Sequence, residues 1–314
     1  MPEWRNWQTH WIQNPAGNHV GSSPTLGTIK KGVAIMKKIA IINDVHSNYL
    51  LLKSVLDDIK KYNVDDFIFC GDYITDGFDN DKVLDIIKSK TKNIIAGNRD
   101  LSIANYDNKS WDDINQMKSM LYAYTNTTDE NKAFLKTLPI FKIINIENKK
   151  ICFSHGTPFN VRKLVNNNSY DVFDKLIDNF SCDIYLFAHT HIPFHIIYRN
   201  KHFINSGAIS CSVDNNPHST YGILSIQEND IQYSQKELYY NFEDVKKYYI
   251  ESNYHRECKE WSNLILYTLR DGFDYCCDFI QFINKFSNGS EKIISDLWHI
   301  KFEEYMYYKN LEIF

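Results

Sequence analysis

Five short apolar runs punctuate the first two thirds of the chain, and each ends abruptly in polar residues. Residues 39–42 stop at Asn43-Asp44-Val45-His46, residues 67–70 at Gly71-Asp72, and residues 93–96 at Gly97-Asn98-Arg99-Asp100. Residues 151–153 lead into Ser154-His155-Gly156, and residues 184–188 into His189-Thr190-His191. Runs of this length, rich in β-branched and aromatic side chains, predict strands buried on both faces. Between the first three runs, Leu50, Leu51, Val55, Leu56 and Ile59, then Val83, Leu84, Ile86 and Ile87, recur at helical spacing. The order β-α-β-α-β predicts a parallel sheet with right-handed crossovers.

Downstream, residues 101–138 are polar and mainly helical in pattern, with Met117, Met120, Leu121 and Tyr124 on one apolar face. A hairpin follows, residues 141–146 and 151–153 flanking Glu147-Asn148-Lys149-Lys150. Residues 170–177 form an amphipathic helix, and shorter strands are expected over 195–198, 203–205, 221–226 and 231–233. From about residue 241 the pattern is helical only, with dense Leu, Ile, Phe and Tyr over 261–286 and 291–308. The expected class is α/β, with two stacked mixed β-sheets flanked by helices over 36–240 and a helical extension over 241–314. The aromatic-rich extension packs on the body or on a partner, and burial is the expected use of its rings over base stacking.

Composition narrows the setting. Net charge is −4 over 314 residues, which gives no case for nucleic-acid or membrane binding driven by overall charge. Seven cysteines without a CxxC pair suit a reducing compartment and argue against a zinc ribbon. No apolar stretch approaches the ~18 residues of a membrane span, and no signal-peptide pattern is present. A cytoplasmic location is expected. Residues 1–35 stand apart: Trp4, Trp7 and Trp11 follow no burying periodicity, and Pro, Gly, Ser and Asn crowd 14–27. The segment 4–28 also resembles the conceptual translation of a transfer-RNA gene, Gly21-Ser22-Ser23-Pro24 being what the T-arm yields in one frame. Residues 1–35 are therefore expected to be a non-native or disordered extension, with Met36 the true start.

The chemistry lies at the strand ends. Asp44 and His46, Asp72, Asn98, His155, then His189 and His191 each follow an apolar run and so gather at one edge of the fold, where open α/β sheets bind ligands. Singly, each has an ordinary use as a cap or a satisfied loop residue; five strand ends in this order do not. Three carboxylate or carboxamide oxygens and four imidazoles suit two borderline divalent ions, and the absence of cysteine argues against a structural zinc site. If the two ions lie ~3.5–4 Å apart one acid must bridge them, and Asp72 on the middle strand is the candidate.

This set resembles the calcineurin-like metallophosphoesterase superfamily, and within it the small bacterial and archaeal phosphodiesterase branch of domain type 2. The family's pattern is D-x-H, G-D-x-x-x-x-G, G-N-H-[ED], a histidine before glycine, and G-H-x-H. Asp44-Val45-His46, Gly71-Asp72 through Gly77, Gly97-Asn98-Arg99-Asp100, His155-Gly156 and Ala188-His189-Thr190-His191 follow it in order. Asn205-Ser206-Gly207 is similar to the N-P-G-S stretch that comes next. The resemblance covers about residues 36–235. It implies a four-layer α-β-β-α fold, with 36–240 as the catalytic domain. It also implies metal ligation by Asp44, His46, Asp72 and His191 at one ion and by Asp72, Asn98, His155 and His189 at the other. Asn98, Arg99, Asp100 and His155 would serve catalysis, and a metal-bridging water would be the nucleophile in phosphate-ester hydrolysis. Manganese is the first expected metal, with iron, zinc, cobalt or nickel as alternatives, and a small phosphorylated molecule is the expected partner.

Arg99 departs from the family pattern, where a histidine oriented by the next acid assists the leaving oxygen. Arginine does not release a proton at neutral pH, but it clamps phosphate. Substrates with good leaving groups should suffer least. Alternative readings are phosphoanhydride hydrolysis, as of dinucleoside polyphosphates, phosphoprotein dephosphorylation and, from another class, a catalytically inactive scaffold of the same fold.

Overall fold

The computed structural model describes residues 36–107, 111, 114–228, 230–287 and 290–314; the expected extension over 1–35 lies outside them. In chain order the elements are β1 (Lys37–Ile42), α1 (Tyr49–Ile59), β2 (Asp66–Phe69), α2 (Asn80–Lys90), α3 (Asn98–Ala104), α4 (Lys118–Thr125) and α5 (Asp129–Thr137). Then come β3 (Phe141–Ile146), β4 (Lys149–Ser154), α6 (Tyr170–Phe180), β5 (Ile184–Phe187), β6 (Phe194–Tyr198), β7 (Lys201–Asn205), β8 (His218–Gln227) and β9 (Asp230–Tyr239). The chain ends in helices α7 (Phe242–Ile250), α8 (Asn253–Glu257), α9 (Lys259–Asp271), α10 (Tyr275–Ser287) and α11 (Glu291–Tyr308).

Alternation along β1 divides the protein into layers. Side chains of a strand point to opposite faces in turn, so Ile39 and Ile41 enter one core while Ala40 and Ile42 enter another. Among the described residues one sheet runs β2-β1-β8-β9 and the other β3-β4-β5-β7-β6. Ile39, Ile41, Ile68, Ile151, Phe153 and Leu186 join between them. Each large apolar side chain so buried contributes roughly 1.5–3 kcal/mol. On the outer face of the first sheet, Ala40, Ile42 and Phe69 meet Leu52 and Val55 of α1 and Leu84 and Ile87 of α2. On the outer face of the second, Tyr185, Phe187 and Phe203 meet Val172, Phe173 and Leu176 of α6. The two stacked mixed sheets flanked by helices are thus present as the apolar runs predicted.

Three details differ. The third predicted strand, 93–96, makes only a single parallel bridge, Ile94 to Phe69. Ile95 N donates to Phe69 O at 3.3 Å, but Ala96 N turns away to Pro139 O at 2.9 Å, which ends the ladder. The predicted helix over 261–286 is broken at Gly272, whose φ of +67° suits glycine and closes α9 in a left-handed cap. Strands β8 and β9 also extend well beyond 221–226 and 231–233. β9 is an edge strand with alternating exposure, so half of its positions are polar and mask its pattern. The aromatic C-terminal helices are packing elements, since Tyr249, Tyr254, Tyr267, Trp298 and Tyr305 are buried in the same cluster as α1 and α2.

Candidate metal centre

The loops that leave β1, β2, β5 and the 93–96 segment converge, and the backbone there is strained. Asp44, His46, Asp72, His189 and His191 all carry positive φ, from 49° to 71°. Non-glycine residues in this region cost of order 1 kcal/mol or more each, and such strain gathers at functional sites. A zipper of main-chain bonds holds it. Asp44 N donates to Gly71 O at 3.1 Å, while Val45 N and His46 N donate to Asp72 O at 2.9 and 3.1 Å. Gly71 and Gly97 permit the closeness, because a Cβ on Gly97 would collide with the carboxylate of Asp72, and one on Gly71 with the backbone of Gly97.

Six of the seven predicted ligands fall into two groups, Asp44 with His46 and His191, and Asp72 with His155 and His189. Within each group the donor atoms lie within 4.8 Å of one another. Asn98 joins the second group, its Oδ1 at 3.0 Å from His155 Nε2, which is also 3.3 Å from Asp72 Oδ2. His155 Nδ1 donates to Cys70 O at 2.9 Å, and His191 Nδ1 to Cys211 O at 2.7 Å. His46 Nδ1 faces Asp76 Oδ2 at 3.2 Å. With Nδ1 held by a carbonyl oxygen, His155 and His191 each turn Nε2 inward, as metal-ligating histidines do, while His46 Nδ1 is buried close to the Asp76 carboxylate without an aligned hydrogen bond. His46 Nε2 and His191 Nε2 approach to 3.2 Å, and Asp44 Oδ1 is buried without a hydrogen-bond partner. A buried carboxylate oxygen left bare beside converging nitrogens fits a cation.

Charge in the cluster is tightly shared. Burial pushes the Asp44 and Asp72 carboxyls up, yet the neighbouring imidazoles outweigh it and hold both below the usual carboxylate range. Burial likewise depresses His155 and His191, but Asp72 and Asp44 overcome it and lift both to about 9. His189 is pushed down to about 4, by burial first and then by His155, so it is a neutral lone-pair donor.

Asp100 stands outside the cavity. Its buried carboxylate accepts from Asp72 N at 2.7 Å, Tyr73 N at 3.0 Å and Gly97 N at 2.8 Å, so it ties the two glycine turns together. Asp100, expected to serve catalysis, is thus engaged by backbone N–H groups and is not among the residues lining the cavity. Arg99 does reach the cavity, and its guanidinium lies 3.6 Å from Asp76 rather than against Asp100.

Asp76 is what the sequence reading missed. Its Oδ1 accepts from Trp261 Nε1 at 2.8 Å and Ser119 Oγ at 3.2 Å, while its main-chain oxygen accepts from Tyr249 OH at 3.1 Å. Burial alone would push its carboxyl up, but Arg99 and His46 hold it far below the usual range. One carboxylate thus joins His46 to the C-terminal helices. Its place just before Gly77 was visible in the sequence; its hydrogen-bond donors Ser119, Tyr249 and Trp261, 43 to 185 residues away, were not. Those helices help wall a cavity of about 560 Å³ over the clusters, with Met117, Met120, Trp261, Ile265 and Ile280 among its lining.

An uncharacterized protein of Methanocaldococcus jannaschii is 26% identical over 238 residues, covering 68% of this chain and 91% of that protein. In fold, the chain is similar to a metallophosphoesterase from Sphaerobacter thermophilus, with a TM-score of 0.62, 20% identity and coverage of 75% of this chain and 99% of that one. A hypothetical protein from Pyrococcus horikoshii gives a TM-score of 0.61 at 15% identity, over 73% of this chain and 97% of that one. The profile of the calcineurin-like phosphoesterase superfamily domain matches residues 36–229, a span that includes all seven predicted ligands. By that match the chain belongs to the calcineurin-like phosphoesterase superfamily and is a metal-dependent phosphoesterase.

Proposed function

We propose that this phosphoesterase works through a dinuclear centre. Asp44, His46, Asp72 and His191 would hold one divalent ion, and Asp72, Asn98, His155 and His189 the other. The observation that carries this reading is the bare, buried Asp44 Oδ1 among imidazoles whose Nδ1 atoms are already engaged. When bound, the ions supply Lewis-acid polarisation of the phosphoryl group and an activated water as nucleophile. The donor set, histidine with hard oxygens, favours manganese, with iron, zinc, cobalt or nickel able to substitute.

The chain itself does the rest. Asp72 would be the carboxylate shared by the two ions, and its Oδ1 is steadied by Arg99 N at 2.8 Å. The Arg99 guanidinium binds phosphoryl oxygens and stabilises the charge that builds on them. It has no proton to give, so leaving groups that depart as stable anions are favoured. The apolar wall supplied by the C-terminal helices favours a small ester over a phosphoprotein. We assign the chemistry to residues 36–240 and the wall to 241–314.

The test is hydrolysis of p-nitrophenyl phosphate and bis(p-nitrophenyl) phosphate by the full chain with each metal in turn. Turnover should require metal, vanish with chelator and fall at least about a hundredfold in His155→Ala, which removes a metal ligand. Equal turnover by wild type and His155→Ala, or none with any metal, would overturn the reading.

A further inference from the structure

The cavity over the clusters, about 560 Å³, is of the size that holds a small molecule. The metal-ligand groups and Arg99 make up the part that suits a phosphoryl group. The rest of the lining is of another kind. Met117, Met120, Val213, Ile265 and Ile280 contribute carbon and sulfur, and Cys211 and Cys276 beside them are buried and only weakly polar.

The polar side chains that share this wall are already committed. Ser119 Oγ donates to Asp76 Oδ1 at 3.2 Å and lies 2.9 Å from Tyr254 OH. Thr268 Oγ1 donates to Leu264 O at 3.0 Å and accepts from Tyr275 N at 3.3 Å. Thr190 Oγ1 accepts from Asn205 Nδ2 at 3.0 Å and donates to Ile192 O at 3.5 Å. Trp261 Nε1 is given to Asp76. Gln116 Nε2 donates to Glu291 O at 3.2 Å, and its Oε1 is closed off from the cavity. Asp274 Oδ1 accepts from Cys277 N at 2.8 Å in capping α10, and Gln281 is exposed to solvent.

A hydroxyl carried against such a wall leaves its water without a replacement partner, which costs about tenfold in affinity per group. A ring or methylene carbon gains by the same transfer. We propose that the organic group of the substrate is apolar, an aryl or alkyl group without hydroxyls, and that phosphates of sugars and other polyols are poor substrates. This inference rests on the hydrolase reading above and narrows it to a substrate class.

Cyclohexylmethyl phosphate and glucose 6-phosphate form a matched pair. Each is a primary phosphate ester on a six-membered ring, so the leaving oxygens are alike and the hydroxyls differ. With the manganese-loaded full chain, cyclohexylmethyl phosphate should exceed glucose 6-phosphate in kcat/KM by at least about a hundredfold, the effect of two unpaired hydroxyls. The same ratio should appear when the two compete with p-nitrophenyl phosphate, which registers binding even where an alkyl ester turns over slowly. Polar atoms placed in the wall should shrink it. Ile280→Gln, at a half-buried position, or Ile265→Thr should lower the ratio by about tenfold, one hydroxyl regained. A defect of folding lowers both substrates together and leaves the ratio where it was. A ratio near one, a preference for glucose 6-phosphate, or a ratio unmoved in both variants would overturn this inference, while hydrolysis of p-nitrophenyl phosphate leaves the hydrolase reading standing. Failure to hydrolyse p-nitrophenyl phosphate with any metal would instead strike the hydrolase reading, and this inference with it.

Discussion

Replacing Asp76 by asparagine probes the junction between the metal ligands and the C-terminal helices. In the wild type, Asp76 Oδ2 lies 3.2 Å from His46 Nδ1, and this nearby negative charge favours the ring's proton on that side and its Nε2 lone pair inward. An asparagine whose Oδ1 stays with Trp261 and Ser119 must turn its NH₂ toward His46. Nδ1 then becomes the acceptor, and the proton moves to Nε2, where a metal should bind. Changes of this kind in the support of a ligating histidine typically cost ten- to about a hundredfold in metal affinity, and every tenfold is about 1.4 kcal/mol. Stability falls as well. The bonds from Trp261 at 2.8 Å and Ser119 at 3.2 Å lose their charged acceptor, which costs about 1 kcal/mol apiece, roughly 2 kcal/mol together. The ion pair with Arg99 adds little, since that side chain is 33% exposed and its attraction is screened. Calorimetric titration of manganese into Asp76→Asn should find one weakened equivalent and one of near wild-type affinity, and urea unfolding of the metal-free variant should show the stability loss. Two equivalents of wild-type affinity would refute the tautomer argument, whatever the stability.

Two more predictions address the turns and the charges. Gly97→Ala should abolish metal binding and lower the unfolding midpoint sharply, because its Cβ meets the Asp72 carboxylate and backbone; a variant that binds manganese normally would contradict the close packing of the two turns. The pH dependence should differ in sign between the metal-free and loaded protein. In the metal-free protein His155 and His191 are raised from 6.5 to about 9, so the stability they contribute is full below pH 6.5 and lost as pH climbs through 9. Metal must displace those protons, so apparent manganese affinity should rise over the same window, with proton release detectable in weakly buffered solution. Thermal melts with and without chelator check both, and parallel pH profiles would count against the assignment of those two imidazoles.

Much of this protein is local in character and therefore readable from its chain. A buried strand must be apolar on both faces, and a strand that stops at a ligand must turn polar there. The layers, and the meeting of Asp44, His46, Asp72, Asn98, His155, His189 and His191 at one edge, follow from that rule together with chain order. What the pattern does not carry is the direction of a single hydrogen bond between distant segments. Arg99 meets Asp76 rather than its neighbour Asp100, because Asp100 is committed to three backbone N–H groups. The 93–96 run fails to become a full strand because one amide finds Pro139 instead. The wall of the cavity comes from helices whose aromatic periodicity speaks only of burial; which residues face the ligands depends on the turn at Gly272 and on Trp261 reaching Asp76. Sequence by itself determined most element types, the 93–96 run excepted, and the chemistry of the strand ends, since both depend on short-range pattern. Only the tertiary structure decided how that chemistry is oriented and enclosed, since those contacts join residues scores of positions apart.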